Sequence, residues 1–216
     1  SGGKQAKRRG WVTSLRKAYE AAIKAPAQNS AVDMSAVMQH LQKVLPEDVI
    51  IKHGAGNFAL WPDKCFSYGA GQRLLGPQSG AMGYGLPAAI AACVAYPERT
   101  VVCFAGDGDI QMGIAELGTA VQAGAKPLIL VLNNGSYGTI RMHQERDYPG
   151  RVSGTSLVNP DFKAVAEAYG MMGIKVVNTD EFAAAFDILA AAPHGGILEL
   201  NISIEAITPT KKLGEL

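Results

Sequence analysis

Long apolar runs are missing from this sequence. The longest, Leu86 to Tyr96, is about half of the ~20 residues that cross a bilayer as a helix, so the sequence predicts a soluble protein with no membrane partner. An excess of one charge is missing too. Twenty Lys and Arg against 19 Asp and Glu leave a net charge of +1, which removes any global electrostatic case for nucleic acid or an anionic surface. Cysteine is scarce: Cys65, Cys93 and Cys103 share no metal-ligand spacing. Their odd number argues against a disulfide framework and for a reducing compartment such as the cytoplasm. Repeats and low-complexity tracts are absent. So are an initiator Met and a secretory signal pattern. The Ser1-Gly2-Gly3 start reads as a linker, an expression scar or a cut site, which raises the expectation of a longer polypeptide.

What is present is apolar residue and glycine. Apolar residues make up 48% of 216, enough for a large core and too many for global disorder. Glycine numbers 25 without a repeat, which points to tight turns where backbone approaches something closely. Residues 1–30 read as basic (Lys4, Lys7, Arg8, Arg9), then helical (Leu15, Tyr19, Ala22, Ile23), then loose, a solvated lead-in to a domain over 31–216. From there helix and strand alternate. Asp33 precedes a helix carrying Met34, Val37, Met38 and Leu41, and strands follow at 49–52, 100–105, 128–132, 174–177 and 197–202. Between them helices are expected from Pro87 to near Pro97, over 114–123, from Asn159-Pro160 to Gly170, and from a Thr179 cap to Ala191. Strands that are apolar throughout imply an α/β fold: a doubly wound, mostly parallel sheet with helices on both faces.

In such sheets ligands bind beyond the carboxyl ends of the strands. Three polar or glycine-rich stretches, at 54–57, 106–109 and 133–138, all follow strands and should converge on one crevice. Gly54-Ala55-Gly56-Asn57-Phe58-Ala59 fits a dinucleotide fingerprint or a plain turn, but Tyr68 to Leu75 offers no acidic ribose ligand. Gly106-Asp107-Gly108 and Asn133-Asn134 lie at the ends of successive strands. Together they offer a carboxylate and an amide oxygen on one rim. Mg²⁺ takes such hard oxygen ligands and shares them with a diphosphate. Each motif alone is also an ordinary turn.

The run from Gly106-Asp107-Gly108 to Asn133-Asn134 resembles the motif of thiamine-diphosphate enzymes. Gly80-Ala81-Met82-Gly83-Tyr84-Gly85-Leu86-Pro87 is similar to the segment that holds the aminopyrimidine in the acetolactate synthase and 2-oxo acid decarboxylase group. One position departs: Asp109 stands where that group has a small residue. The resemblance covers about Asp33 to Ile207 and matches only the C-terminal, diphosphate-binding domain. The pyrimidine-binding and middle domains are absent from this chain. It implies thiamine diphosphate and Mg²⁺ as cofactors, with nothing in this domain to support FAD. It implies a homo-oligomer whose site is completed by the pyrimidine-binding domain of the same or a neighbouring subunit, and a small 2-oxo acid that is decarboxylated, its carbanion then protonated or ligated.

Carried onto this sequence, the resemblance assigns Mg²⁺ to Asp107, Asn134 and the carbonyl of Ser136. The diphosphate falls to Gly56, Asn57 and Phe58 on one side and, beside Gly106, to the amides of Gly108, Asp109, Tyr137 and Gly138 on the other. The Gly80 carbonyl would take the aminopyrimidine and Met82 would part the two rings. Thr139, Ile140 and His143 share a helix face turned to substrate, with His143 binding a carboxylate, relaying a proton or serving only as a half-exposed helix residue. Glu116 reads as a structural hydrogen-bond acceptor and His40 as structural; His53 stays open, and His194 falls in a turn. The competing readings are a cofactor-binding module without activity of its own and a Rossmann dehydrogenase domain.

Overall fold

The computed structural model describes residues 2–215, so the Ser1 part of the expectation for the N-terminus lies outside the described residues. Helix α1 (Gly2–Ala22) takes in the basic cluster that the sequence suggested as a solvated lead-in. Arg16 pairs with Glu20 one turn on at 2.6 Å, and Trp11, Leu15 and Tyr19 are exposed. Helix α2 (Met34–Val44) starts where expected, because the Asp33 carboxylate accepts from Ser35 N–H and so satisfies a free amide of the first turn.

The rest alternates: β1 (Ile50–His53), α3 (Leu60–Lys64), β2 (Arg73–Leu75), α4 (Gly85–Ala95), β3 (Val101–Gly106), α5 (Asp107–Ile110), α6 (Glu116–Gln122), β4 (Leu128–Asn133), α7 (Gly138–Asp147), α8 (Phe162–Ala168), β5 (Met172–Val176), α9 (Phe182–Ala190) and β6 (Gly196–Asn201). All pairings are parallel, in the order β2-β1-β3-β4-β6-β5. Successive side chains of a strand face opposite ways, and β3 shows the consequence. Val102 and Phe104 enter a core with α2 and α9, whereas Val101, Cys103 and Ala105 enter a second core with α4, α6 and α8. The doubly wound α/β fold expected from the sequence is therefore the fold observed, with an all-parallel sheet among the described residues.

Three local expectations change. Edge strand β2 was not anticipated, because Arg-Leu-Leu with largely exposed side chains carries no strand pattern. Helix α8 begins at Phe162, capped by Asp161, whose carboxylate accepts from Ala164 N–H; Asn159 is engaged elsewhere. Thr179 caps no helix. It opens a 3₁₀ turn, and its hydroxyl accepts from Asp33 N–H at 2.9 Å and donates to the Ala31 carbonyl at 3.3 Å, which ties the start of α2 to this turn.

The order around β1 fixes where a ligand can sit. The chain leaves β1 toward β2 on one side, then returns to place β3 on the other. The connections after β1 and β3 therefore diverge and open a crevice between them, at a switch point of the sheet.

Candidate active site

The crevice beyond the ends of β1, β3 and β4 holds about 590 Å³ of free space, its open mouth included. Fourteen of the expected site residues line it. From the loop after β1 come Gly56, Asn57 and Phe58, and from the segment before α4 comes Met82. Gly106, Asp107, Gly108 and Asp109 follow β3, and Asn134, Ser136, Tyr137, Gly138, Thr139 and Ile140 follow β4. Two do not. Gly80 is exposed, with a left-handed φ of 66°, and His143 is exposed on α7; neither is among the lining residues.

Asp107 is the electrostatic centre. It is only 3% exposed. Its Oδ1 accepts from Gly108 N–H at 3.0 Å, and its Oδ2 accepts from Gly135 N–H at 2.8 Å and from the Asn159 side-chain amide at 2.7 Å. Burial pushes its pKa up, and these donors, led by Asn159, pull it back toward the ionised form. Gly135 reaches the carboxylate because the turn after Asn134 places it at a φ of 66°, which glycine adopts at no steric cost. Asn134 Oδ1 accepts from Ser136 N–H at 3.0 Å, leaving one lone-pair direction of that oxygen open.

A further network lies below. Asn159 also donates to Asn133 Oδ1 at 2.8 Å, and Asn133 donates to Glu199 Oε1 at 2.8 Å. Glu199 is 1% exposed, and its Oε1 lies 3.1 Å from Lys175 Nζ. Sequence reading missed Asn159 as a site residue. An Asn before Pro reads as a helix start, and only the tertiary structure brings it against Asp107. Trp61, Leu132, Ile202 and Ile207 also line the crevice; as ordinary apolar residues they carried no sequence signal.

The walls are built by close approach of rings to glycine. A Cβ at Gly106 would meet the Phe58 ring, and one at Gly108 the Tyr137 ring. Thr139 locks the opposite walls together: its hydroxyl accepts from Asn57 N–H at 2.9 Å and donates to Asn57 Oδ1 at 3.0 Å. The Tyr137 amide, expected to face a diphosphate, donates instead to the Thr155 carbonyl at 2.9 Å, so Tyr137 offers the crevice its ring. Gly138 is the first residue of α7, where an amide has no partner within its helix. Of the remaining titratable residues, Glu116 accepts from the Thr119 hydroxyl at 2.7 Å, a structural contact as expected. His40 packs edge-on against Phe182 with ring centroids 5.6 Å apart.

Among the described residues no group of three His, Cys, Asp or Glu is placed to hold a metal alone. The donors that do converge are one carboxylate, one amide oxygen and backbone. That set fits an ion of the Mg²⁺ kind, which completes its octahedron with phosphate oxygens and water. The open start of α7 fits the phosphates themselves.

Residues 54–199 match the family model described as thiamine pyrophosphate enzyme, C-terminal TPP binding domain. The chain is similar to the acetolactate synthase large subunit of Haemophilus influenzae, 48% identical over 104 residues, which are 48% of this chain and 18% of that protein. It is similar to the mitochondrial acetolactate synthase catalytic subunit of Saccharomyces cerevisiae, 33% identical over 195 residues, or 88% of this chain and 28% of that protein. To the acetolactate synthase isozyme 3 large subunit of Escherichia coli it is 34% identical over 161 residues, 74% of this chain and 28% of that protein. The matched chain thus spans less than a third of each of these relatives.

Proposed function

Since the chain belongs to the thiamine pyrophosphate enzymes, as their C-terminal TPP-binding domain, we propose that it holds thiamine diphosphate through Mg²⁺ in this crevice, as the diphosphate-binding part of an acetolactate synthase-like enzyme. The observation that carries the reading is the meeting of Asp107, Asn134 and Ser136 at one sheet switch point. In this reading 31–216 is the binding domain and 1–30 precedes it. The activity needs a pyrimidine-binding domain of the same or a neighbouring subunit in a homo-oligomer, and no Glu lines the crevice among the described residues. Three free thiols, Cys65, Cys93 and Cys103, suit the reducing cytoplasm.

When bound, thiamine diphosphate supplies the carbon nucleophile and the electron sink that decarboxylation of a small 2-oxo acid requires. This chain's residues do the holding. Asp107 and Asn134 would bind Mg²⁺ through side-chain oxygens and Ser136 through its carbonyl. Gly56, Asn57, Phe58, Gly106, Gly108, Asp109 and the open amide of Gly138 would surround the diphosphate. The Gly80 carbonyl would accept from the aminopyrimidine amino group, Met82 would lie against the rings, and Tyr137 would wall the site. Ile140, half exposed, would meet the substrate side, with Thr139 fixing Asn57 and His143 on the exposed face of α7.

The test is calorimetry of thiamine diphosphate binding to the 216-residue chain, with Mg²⁺ and with EDTA. Binding should require Mg²⁺ and vanish in Asp107→Ala. Binding by Asp107→Ala at wild-type affinity would overturn the metal assignment. Stabilisation by NAD or FAD in place of thiamine diphosphate would favour the dehydrogenase reading.

A further inference from the structure

Asp109 is a buried acid whose carboxylate, unlike its backbone amide, has no role in the function proposed above. It is 2% exposed, and its Oδ1 accepts from Gly83 N–H at 2.9 Å and Ala55 N–H at 3.2 Å. Those amides belong to two separate segments of chain, one after β1 and one before α4. Ala55 immediately precedes Gly56-Asn57-Phe58, and Gly83 immediately follows Met82. One carboxylate oxygen therefore fixes the spacing between the two segments.

Room for that carboxylate comes from Gly54. The three atoms nearest to a Cβ built there all belong to the Asp109 carboxylate, at overlapping distance. The backbone of Gly54 is not in the left-handed region, so its conformation alone does not call for glycine. His53, next in the chain, offsets the buried charge. Its Nδ1 lies 2.7 Å from the Gly54 carbonyl oxygen and its Nε2 3.1 Å from Asp63 Oδ1. A ring with an acceptor at each nitrogen donates to both only when it carries a proton on each. The ring is in turn boxed in by Gly76, where a Cβ would strike it.

We propose that Asp109 and Gly54 are a matched pair, with Asp109 a positioning residue that keeps the cofactor crevice in shape by clamping the loop after β1 to the segment carrying Met82. The proposal rests on the cofactor reading above only for what the crevice holds. Two amides lose a charged acceptor in Asp109→Ala, and hydrogen bonds to charged groups are the strong ones. The expected loss of thiamine diphosphate affinity is about tenfold or more.

A double-mutant cycle on the 216-residue chain tests the pairing, reading thiamine diphosphate affinity with Mg²⁺ by calorimetry and unfolding temperature by circular dichroism. Gly54→Ala alone should weaken affinity and lower the unfolding temperature. Added to Asp109→Ala, it should do neither, since the collision is gone. Asp109→Asn, which keeps an acceptor oxygen, should recover most of the affinity that Asp109→Ala loses, a rescue that general destabilisation would not give. If Asp109→Ala does not fold, Asp109→Ser replaces it in the cycle. Additive losses at the two positions, or wild-type affinity in a folded Asp109→Ala, would overturn the clamp. Should the wild-type chain bind no thiamine diphosphate, the cofactor reading fails by itself. The clamp then stands or falls on whether the two positions couple in unfolding temperature.

Discussion

Replacing Asn159 by Ala removes one side-chain amide from two acceptors at once. Its Nδ2 lies 2.7 Å from Asp107 Oδ2 and 2.8 Å from Asn133 Oδ1, while its Oδ1 accepts from Gln111 at 3.0 Å. Asn133 Oδ1 keeps Gly135 N–H at 3.1 Å, so that loss is partly covered. Asp107 is worse placed. Its Oδ2 keeps only Gly135 N–H, in a site where burial already raises its pKa and Asn159 is the strongest of the opposing donors. A hydrogen bond to a charged group contributes about 1.5–3 kcal/mol, and we take about 2 kcal/mol for the net effect. In a chain of this size that lowers the unfolding temperature by about 4–8 °C. Asn159→Asp keeps the shape but sets a second acid against Asp107, so its fall should exceed that of the Ala variant. Thermal unfolding by circular dichroism at neutral pH reads both. An Asn159→Ala protein that unfolds within about 1 °C of wild type, or an Asp variant more stable than the Ala variant, would refute the reasoning.

His53 makes a pH-dependent contribution. Burial, the largest single influence, lowers its pKa, but Asp63, the Gly54 carbonyl and Asp109 together outweigh it and leave the pKa above its ordinary 6.5. The stability from its charge is therefore fully present below about pH 6.5 and lost as pH rises through the raised value. Between about pH 6 and about pH 9 the unfolding temperature of wild type should fall more than that of His53→Gln; parallel profiles would remove the imidazolium. His143→Ala, on the exposed outer face of α7, should leave thiamine diphosphate affinity unchanged, and a large loss by calorimetry would draw that residue into the crevice.

The fold was legible in the sequence where burial acts on runs of residues. Apolar strands flanked by helices announced a parallel sheet, and β1, β3, β4, β5 and β6 lie within two residues of their expected ends. β2 was not legible because an edge strand needs no apolar pattern. The crevice was legible for a related reason. Strand ends converge in a parallel sheet, so three loops rich in Gly, Asp and Asn had to meet. What could not be read were contacts set by tertiary approach: Asn159 reaching Asp107 across 52 positions, or Thr155 taking the Tyr137 amide. The orientation of Asp109 was open in the sequence for the same reason, since its partners lie 26 and 54 positions away.

Asp107 and Asp109 also show how one turn of helix divides two acids between roles. Residues two apart on a helix do not share a face, so α5 cannot aim both carboxylates at one point. Asp107 meets backbone and a side-chain amide from the β4 side, where Asn134 and Ser136 lie. Asp109 meets only the backbone amides of Ala55, after β1, and Gly83, before α4, together with the nearby His53. Burial raises the pKa of each, and in each case N–H donors oppose that rise. The consequences of neutralising them differ. At Asp107 the charge itself is what a cation would need, so no neutral residue should substitute for it. At Asp109 the acceptor oxygen does the positioning, so Asn should serve where Ala does not. That contrast separates a ligand from a clamp without reference to turnover.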